Sequence, residues 1–92
     1  INIDMPGLIK RDIMCASRKA ELYIQRYAQS QTEHHYKIWP KEKGEFPTDA
    51  LCWENKVAYT DVQGHPTSIV IENKAVADTF RIYFWQMWNS LQ

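Results

Sequence analysis

Ninety-two residues bound this chain to one domain with a single core. Hydrophobic residues make up 45% and aromatics 13%, a composition that packs an interior and lies outside the disordered class. Eleven basic and eleven acidic residues cancel, so no global field draws nucleic acid and little charge repulsion opposes self-association.

The chain opens Ile1-Asn-Ile-Asp4, without an initiator Met and without the basic flank and apolar h-region of a signal peptide. It reads as an internal piece of a longer protein, or as a processed one. No apolar run approaches the roughly 18 residues that span a bilayer, so no membrane partner is expected and the expected location is cytoplasmic. Pro6-Gly7 marks a turn within residues 1 to 8, which read as a lead-in or linker remnant. Ile9 and Ile13 with charges between them suggest a strand over residues 9 to 14. Ser17 is placed to cap a helix over residues 17 to 30, with Ala20, Ile24, Tyr27 and Ala28 at helical spacing. The polar stretch from Gln29 to Thr32 ends it. His34 to Trp39 alternates as a strand does and stops at Pro40.

Lys41 to Glu45 reads as a solvated charged loop. Asp49 to Trp53 and Lys56 to Thr60 read as a hairpin around Glu54-Asn55, with Asn55 suited to left-handed backbone. Thr67 to Ile71 is apolar at consecutive positions, the signature of a central strand. Glu72 or Asn73 then precedes a final helix over residues 74 to 90. Val76, Phe80, Phe84 or Tyr83, Met87 and Leu91 form its core stripe, widened by Ala77 and Trp88. Trp85 lies off that stripe and is the candidate interface residue. The expected fold is α/β (α+β): one domain over residues 1 to 92, with a small mixed β-sheet, packed helices and the order β-α-β-β-β-β-α.

Few constellations carry chemistry. Cys15 and Cys52 sit in separate apolar-rich segments and read as buried reduced thiols of a cytosolic protein; their redox state stays open. His34, His35 and His65 have no close cysteine pairing, and adjacent strand histidines point to opposite faces, so no metal site and no cofactor are expected. The chain has no Gly-rich phosphate loop, and its aromatics do not interleave with a basic stripe. His35-Tyr-Lys37, with Glu42 further on, is a short match to the His-x-Lys signature of phospholipase D. In that chemistry His attacks phosphorus and Lys holds the phosphoryl oxygens.

A longer ordered set resembles the phospholipase-D-like sensor domain of TrmB-type transcription regulators. It comprises Tyr36-Lys-Ile-Trp-Pro40, Phe46-Pro47, Asn55-Lys-Val-Ala58, Ile69-Val-Ile-Glu-Asn-Lys74, Ala77-Asp-Thr-Phe80 and Phe84 with Trp88, over residues 35 to 90. If Glu54 takes the place of the motif Asp, Pro47 stands at the His position and Asp49 at the Lys position, which implies a catalytically inert element. The resemblance implies a regulatory domain that senses an effector or dimerises, with DNA contacted only through a region outside this chain. Asp49, Trp53 and Tyr59, within the inert element, are the candidate ligand-binding residues. The expected partners are a small-molecule effector and a second copy of the chain. The alternatives are a phosphodiesterase or nuclease half-site using His35, Lys37 and Glu42, and a protein–protein interaction module.

Overall fold

A computed structural model describes residues 1–6, 9–27, 33–61 and 63–91. Six strands form one mixed sheet: β1 (Asn2–Met5), β2 (Ile9–Cys15), β3 (Glu33–Trp39), β4 (Thr48–Trp53), β5 (Lys56–Asp61) and β6 (Ser68–Glu72). Their spatial order is β3-β2-β1-β4-β5-β6. Helix α1 (Arg18–Tyr27) makes the crossover between the parallel strands β2 and β3, a connection too long for a turn. Strands β4, β5 and β6 form an antiparallel meander, and α2 (Lys74–Asn89) follows it.

The mixed α/β architecture expected from the sequence is present, and its order holds from Ile9 onward. One element precedes it. Residues 2 to 5 are not a lead-in but a strand near the middle of the sheet, antiparallel to β2 and parallel to β4. Ile3 is 2% exposed, and the Ile13 amide donates to the Ile1 carbonyl at 2.7 Å. Four residues are too few to show a period, whereas Pro6 marks the turn.

Local signals set most boundaries. The Ser17 hydroxyl accepts from the Ala20 amide at 3.1 Å, and the Asn73 carboxamide accepts from the Val76 amide at 3.0 Å, each capping its helix. The expected last residues of α1, 28 to 30, lie outside the described residues. The charged loop holds one 3-10 turn, Lys41–Lys43, and all three residues are exposed. In the β4–β5 hairpin the left-handed residue is Glu54 (φ 50), not Asn55. The Arg81 guanidinium donates to the Glu54 carbonyl and ties that turn to α2.

Strand register divides the side chains into two faces. One carries Ile3, Ile13, Cys52 and Val57, which pack with Ala77, Phe84, Trp88 and Leu91 of the final helical segment. This is the core. Phe84 is 1% exposed and stacks on Trp88 at 5.8 Å between centroids. The expected stripe is rotated slightly: Phe80 and Met87 are half-buried, and Val76 and Tyr83 are exposed. Trp85 is half-buried, edge-on to both Phe84 and Trp88.

Basic residues fix the far end of α2. The Lys37 ammonium donates to the carbonyls of Trp88 and Leu91 at 2.9 and 3.0 Å, adding a charged donor at the C-terminal end of α2. It also lies 4.8 Å from the centroid of the Trp88 ring, and the Arg11 guanidinium lies 5.3 Å from Trp85 and 5.4 Å from Trp88.

The expectation that residues 67 to 71 form a central strand is overturned. β6 is the sheet edge beyond β5, and all five of its residues are exposed. The run Ile69-Val70-Ile71 is apolar on both faces of the sheet, yet among the described residues neither face of β6 is buried.

Phe84→Ala should cost about 3–5 kcal/mol in urea unfolding, because nothing else can fill the space between the sheet and Trp88. Ile82→Ala, at a position 62% exposed on the same helix, should stay within about 0.5 kcal/mol. Equal losses at the two positions would contradict the packing described here.

Candidate functional site

The face opposite α2 is covered only in part. Register places Asn2, Lys10, Asp12, Asp49, Leu51, Ala58 and Thr60 on it, with His34 opposite Lys10. Helix α1 contributes the buried Ala20 to one wall. Between that wall and the strands lies a groove of about 620 Å³, lined by Asn2, Asp12, Asp49 and Thr60 among others.

The groove floor is unusual for its buried acceptors. Asn2 and Asp12 are opposite partners on β1 and β2, 5% and 6% exposed. The side-chain carbonyl oxygen of Asn2 is buried without a hydrogen-bond partner. Burial pushes the Asp12 carboxyl up to about 6; Asp49 adds to the rise, while the Ile1 amino group and Lys10 oppose it. The Ile1 nitrogen donates to the Ile13 carbonyl at 2.8 Å and lies 3.7 Å from Asp12 and 3.5 Å from Asp49. His34 is held below its ordinary value, first by burial and then by the charge of Lys10.

The candidate residues read from the sequence separate. Asp49 and Trp53 share the groove face of β4, with Asp49 on the groove wall and Trp53 at the far end of the strand, in a second cleft with Asp4 and Arg81. Tyr59 does not join them. It pairs with Ala50 on the opposite face and packs edge-on against Phe80 at 6.3 Å. A one-residue difference in strand parity puts it there. His35 and Lys37 lie on the α2 side of β3. His35 contacts Glu33 at 2.6 Å, Lys37 is engaged with the end of α2, and Glu42 is exposed in the 3-10 turn. Trp85, the expected interface residue, packs against the core cluster and Arg11.

Sequence reasoning does not point to Asn2 and Asp12 as site residues, since Asn2 reads as part of a lead-in. The available signal is Asp12 alone: in a strand that alternates faces, Asp12 falls on the face opposite Ile13, and a carboxylate buried there requires either a paired charge or a special environment.

Among the described residues no cluster of three or more His, Cys, Asp or Glu side chains is placed to hold a metal ion. Cys15 and Cys52 are both free thiols. Cys15 is half-buried and accepts from the Phe46 amide at 3.5 Å, and burial pushes the Cys52 thiol up. No described helix is long and apolar enough to cross a membrane. Comparison with protein-family models, with curated proteins and with solved structures finds no match.

Asp12 titration sets a pH dependence. A carboxyl raised in the fold binds its proton more readily folded than unfolded. Its destabilising effect is therefore absent below the ordinary value of 3.8, grows through the window up to about 6, and is complete above it. Asp12→Asn should raise stability at pH 7.5 by on the order of 1–3 kcal/mol and change little at pH 4. Urea unfolding at the two pH values checks this; a gain of equal size at both would contradict it.

Proposed function

We propose that this chain is an effector-sensing domain of a transcription regulator that works by binding rather than catalysis. The observation that carries the reading is the buried pair Asn2 and Asp12 at the bottom of a groove. A carboxylate kept out of water at a cost to stability, beside an unpaired carbonyl oxygen, marks a site that a ligand completes. The surroundings are rich in acceptors, so the favoured effector class is a small organic cation bearing a primary ammonium or guanidinium. The ordered motifs over residues 35 to 90 support the regulatory class, through their resemblance to phospholipase-D-like sensor domains.

Two features favour binding over phosphodiester chemistry. Lys37 gives two of its three donors to the carbonyls of Trp88 and Leu91, so phosphate would have to compete with a helix end for it. Pro47 and Asp49 offer no nucleophile and no phosphate-binding cation at the positions where the family resemblance places them.

The test is a thermal-shift titration with a panel of small primary amines and guanidines, with the Ile1 nitrogen acetylated to remove its competing charge. A ligand that binds only the folded state raises the midpoint in a concentration-dependent way. At least one amine should do so, and Asp12→Asn should abolish the shift while leaving the domain folded. Carboxylates and phosphates shifting the midpoint where no amine does would overturn the assignment of ligand class. Wild-type phosphodiesterase turnover that disappears in His35→Ala would overturn the reading altogether.

A further inference from the structure

The edge strand β6 carries the hydrogen-bonding and apolar groups of an interface. Its register with β5 and two flanking bonds fix which way its backbone points. The Asp61 amide donates to the Thr67 carbonyl, and the Asn73 amide donates to the Asn55 carbonyl. In an antiparallel pair the bonded positions alternate, so Thr67, Ile69, Ile71 and Asn73 turn their amides and carbonyls toward β5. Ser68, Val70 and Glu72 therefore direct theirs outward, and among the described residues no strand lies on that side.

We infer that β6 pairs with β6 of a second copy, antiparallel, about a two-fold axis through Val70. This register is self-complementary. Val70 faces Val70 as a bonded pair, and Ser68 faces Glu72 in both directions. All three outward amides and all three outward carbonyls of each strand find partners, and no like charges oppose one another. Ile69 of one copy lies opposite Ile71 of the other. The two sheets join into one of twelve strands.

The side chains suit the same occupant. Ile69 is 59% exposed, Val70 58% and Ile71 38%, without a Lys or Pro in β6 to discourage edge pairing. On the α2 side the patch continues from Ile69 to its neighbour Tyr59 and into a groove with Val76, Phe80 and Tyr83. A standard interface takes about 800 Å² from each partner. A five-residue strand with this flank supplies less, so the pair is of modest affinity and concentration-dependent. The absence of net charge leaves association unopposed. The inference rests on the self-association expected from the sequence but moves it from Trp85, which is already packed, to β6. It does not involve the groove on Asp12.

Sedimentation velocity across a concentration series, combined with cysteine cross-linking, tests it. The wild-type chain should shift from monomer to dimer at high micromolar concentration. Val70→Lys sets two ammonium groups against each other at the axis, at a position exposed in the monomer. It should weaken the dimer at least about tenfold, with the circular dichroism spectrum unchanged. Bonded antiparallel partners have Cα atoms about 5.5 Å apart, within disulfide reach. Under mild oxidation Val70→Cys should therefore cross-link several-fold faster than Ile82→Cys. A chain that stays monomeric throughout, a dimer indifferent to Val70→Lys, or equal cross-linking at the two positions would overturn the inference. If Val70→Lys fails to fold, the wild-type series and the cross-linking comparison still decide. Retention of an amine-induced thermal shift in monomeric Val70→Lys separates this outcome from that of the effector reading.

Discussion

One helix seals the middle of one face of the sheet, and the rest of the structure depends on that contact. Phe84 and Trp88 lie against Ile3, Ile13, Cys52 and Val57, and these residues with Ala77 and Leu91 form the buried apolar core. Full burial of one such side chain is worth roughly 1.5–3 kcal/mol, so a helix that presents several is the main source of tertiary stability here. Its position is held at both ends. Asn73 caps the start, and Lys37 takes the last carbonyls while Arg11 spreads over the neighbouring tryptophans. Lys37 thus acts as a structural clamp between β3 and the helix end, a role that accounts for its place on the strand without phosphate chemistry.

The other face follows from the same economy of elements. Among the described residues two helices exceed one turn, and α2 takes one face while α1 covers part of the second. What α1 leaves open is a groove whose floor holds Asn2 and Asp12 out of water. Such groups are stabilising only when something satisfies them. The proposed effector is a donor that meets this need. The uncovered edge at β6 is the second consequence. Its apolar residues on both faces suit a strand with neighbours on both sides.

Much of this was legible in the sequence wherever a residue acts locally. Ser17 and Asn73 announce the helix starts, Pro40 ends β3, and the spacing from Ala77 to Leu91 marks the packed side of α2. Three features of the fold were not legible. β1 is a four-residue strand whose place in the sheet comes from pairing with Asp12 and Leu51, which are distant in sequence. β6 reads as central because Ile-Val-Ile is apolar throughout, and composition cannot say whether the second neighbour belongs to the same chain. Tyr59 and Asp49 share a segment but not a face, since a strand alternates at every residue and the hairpin register settles which side each takes. The site itself depends on Asn2 and Asp12 meeting across two strands, a coincidence in space that no local spacing announces.

The middle of one face is packed dry under α2, and the other face buries the carboxyl of Asp12. The most direct measurement is a nuclear magnetic resonance titration of the Asp12 side-chain carboxyl carbon. The account predicts a midpoint near 6, displaced downward when a bound amine favours the charged form. A midpoint at the ordinary 3.8, unmoved by any amine, would mean that Asp12 is solvated and that the groove is surface without a site.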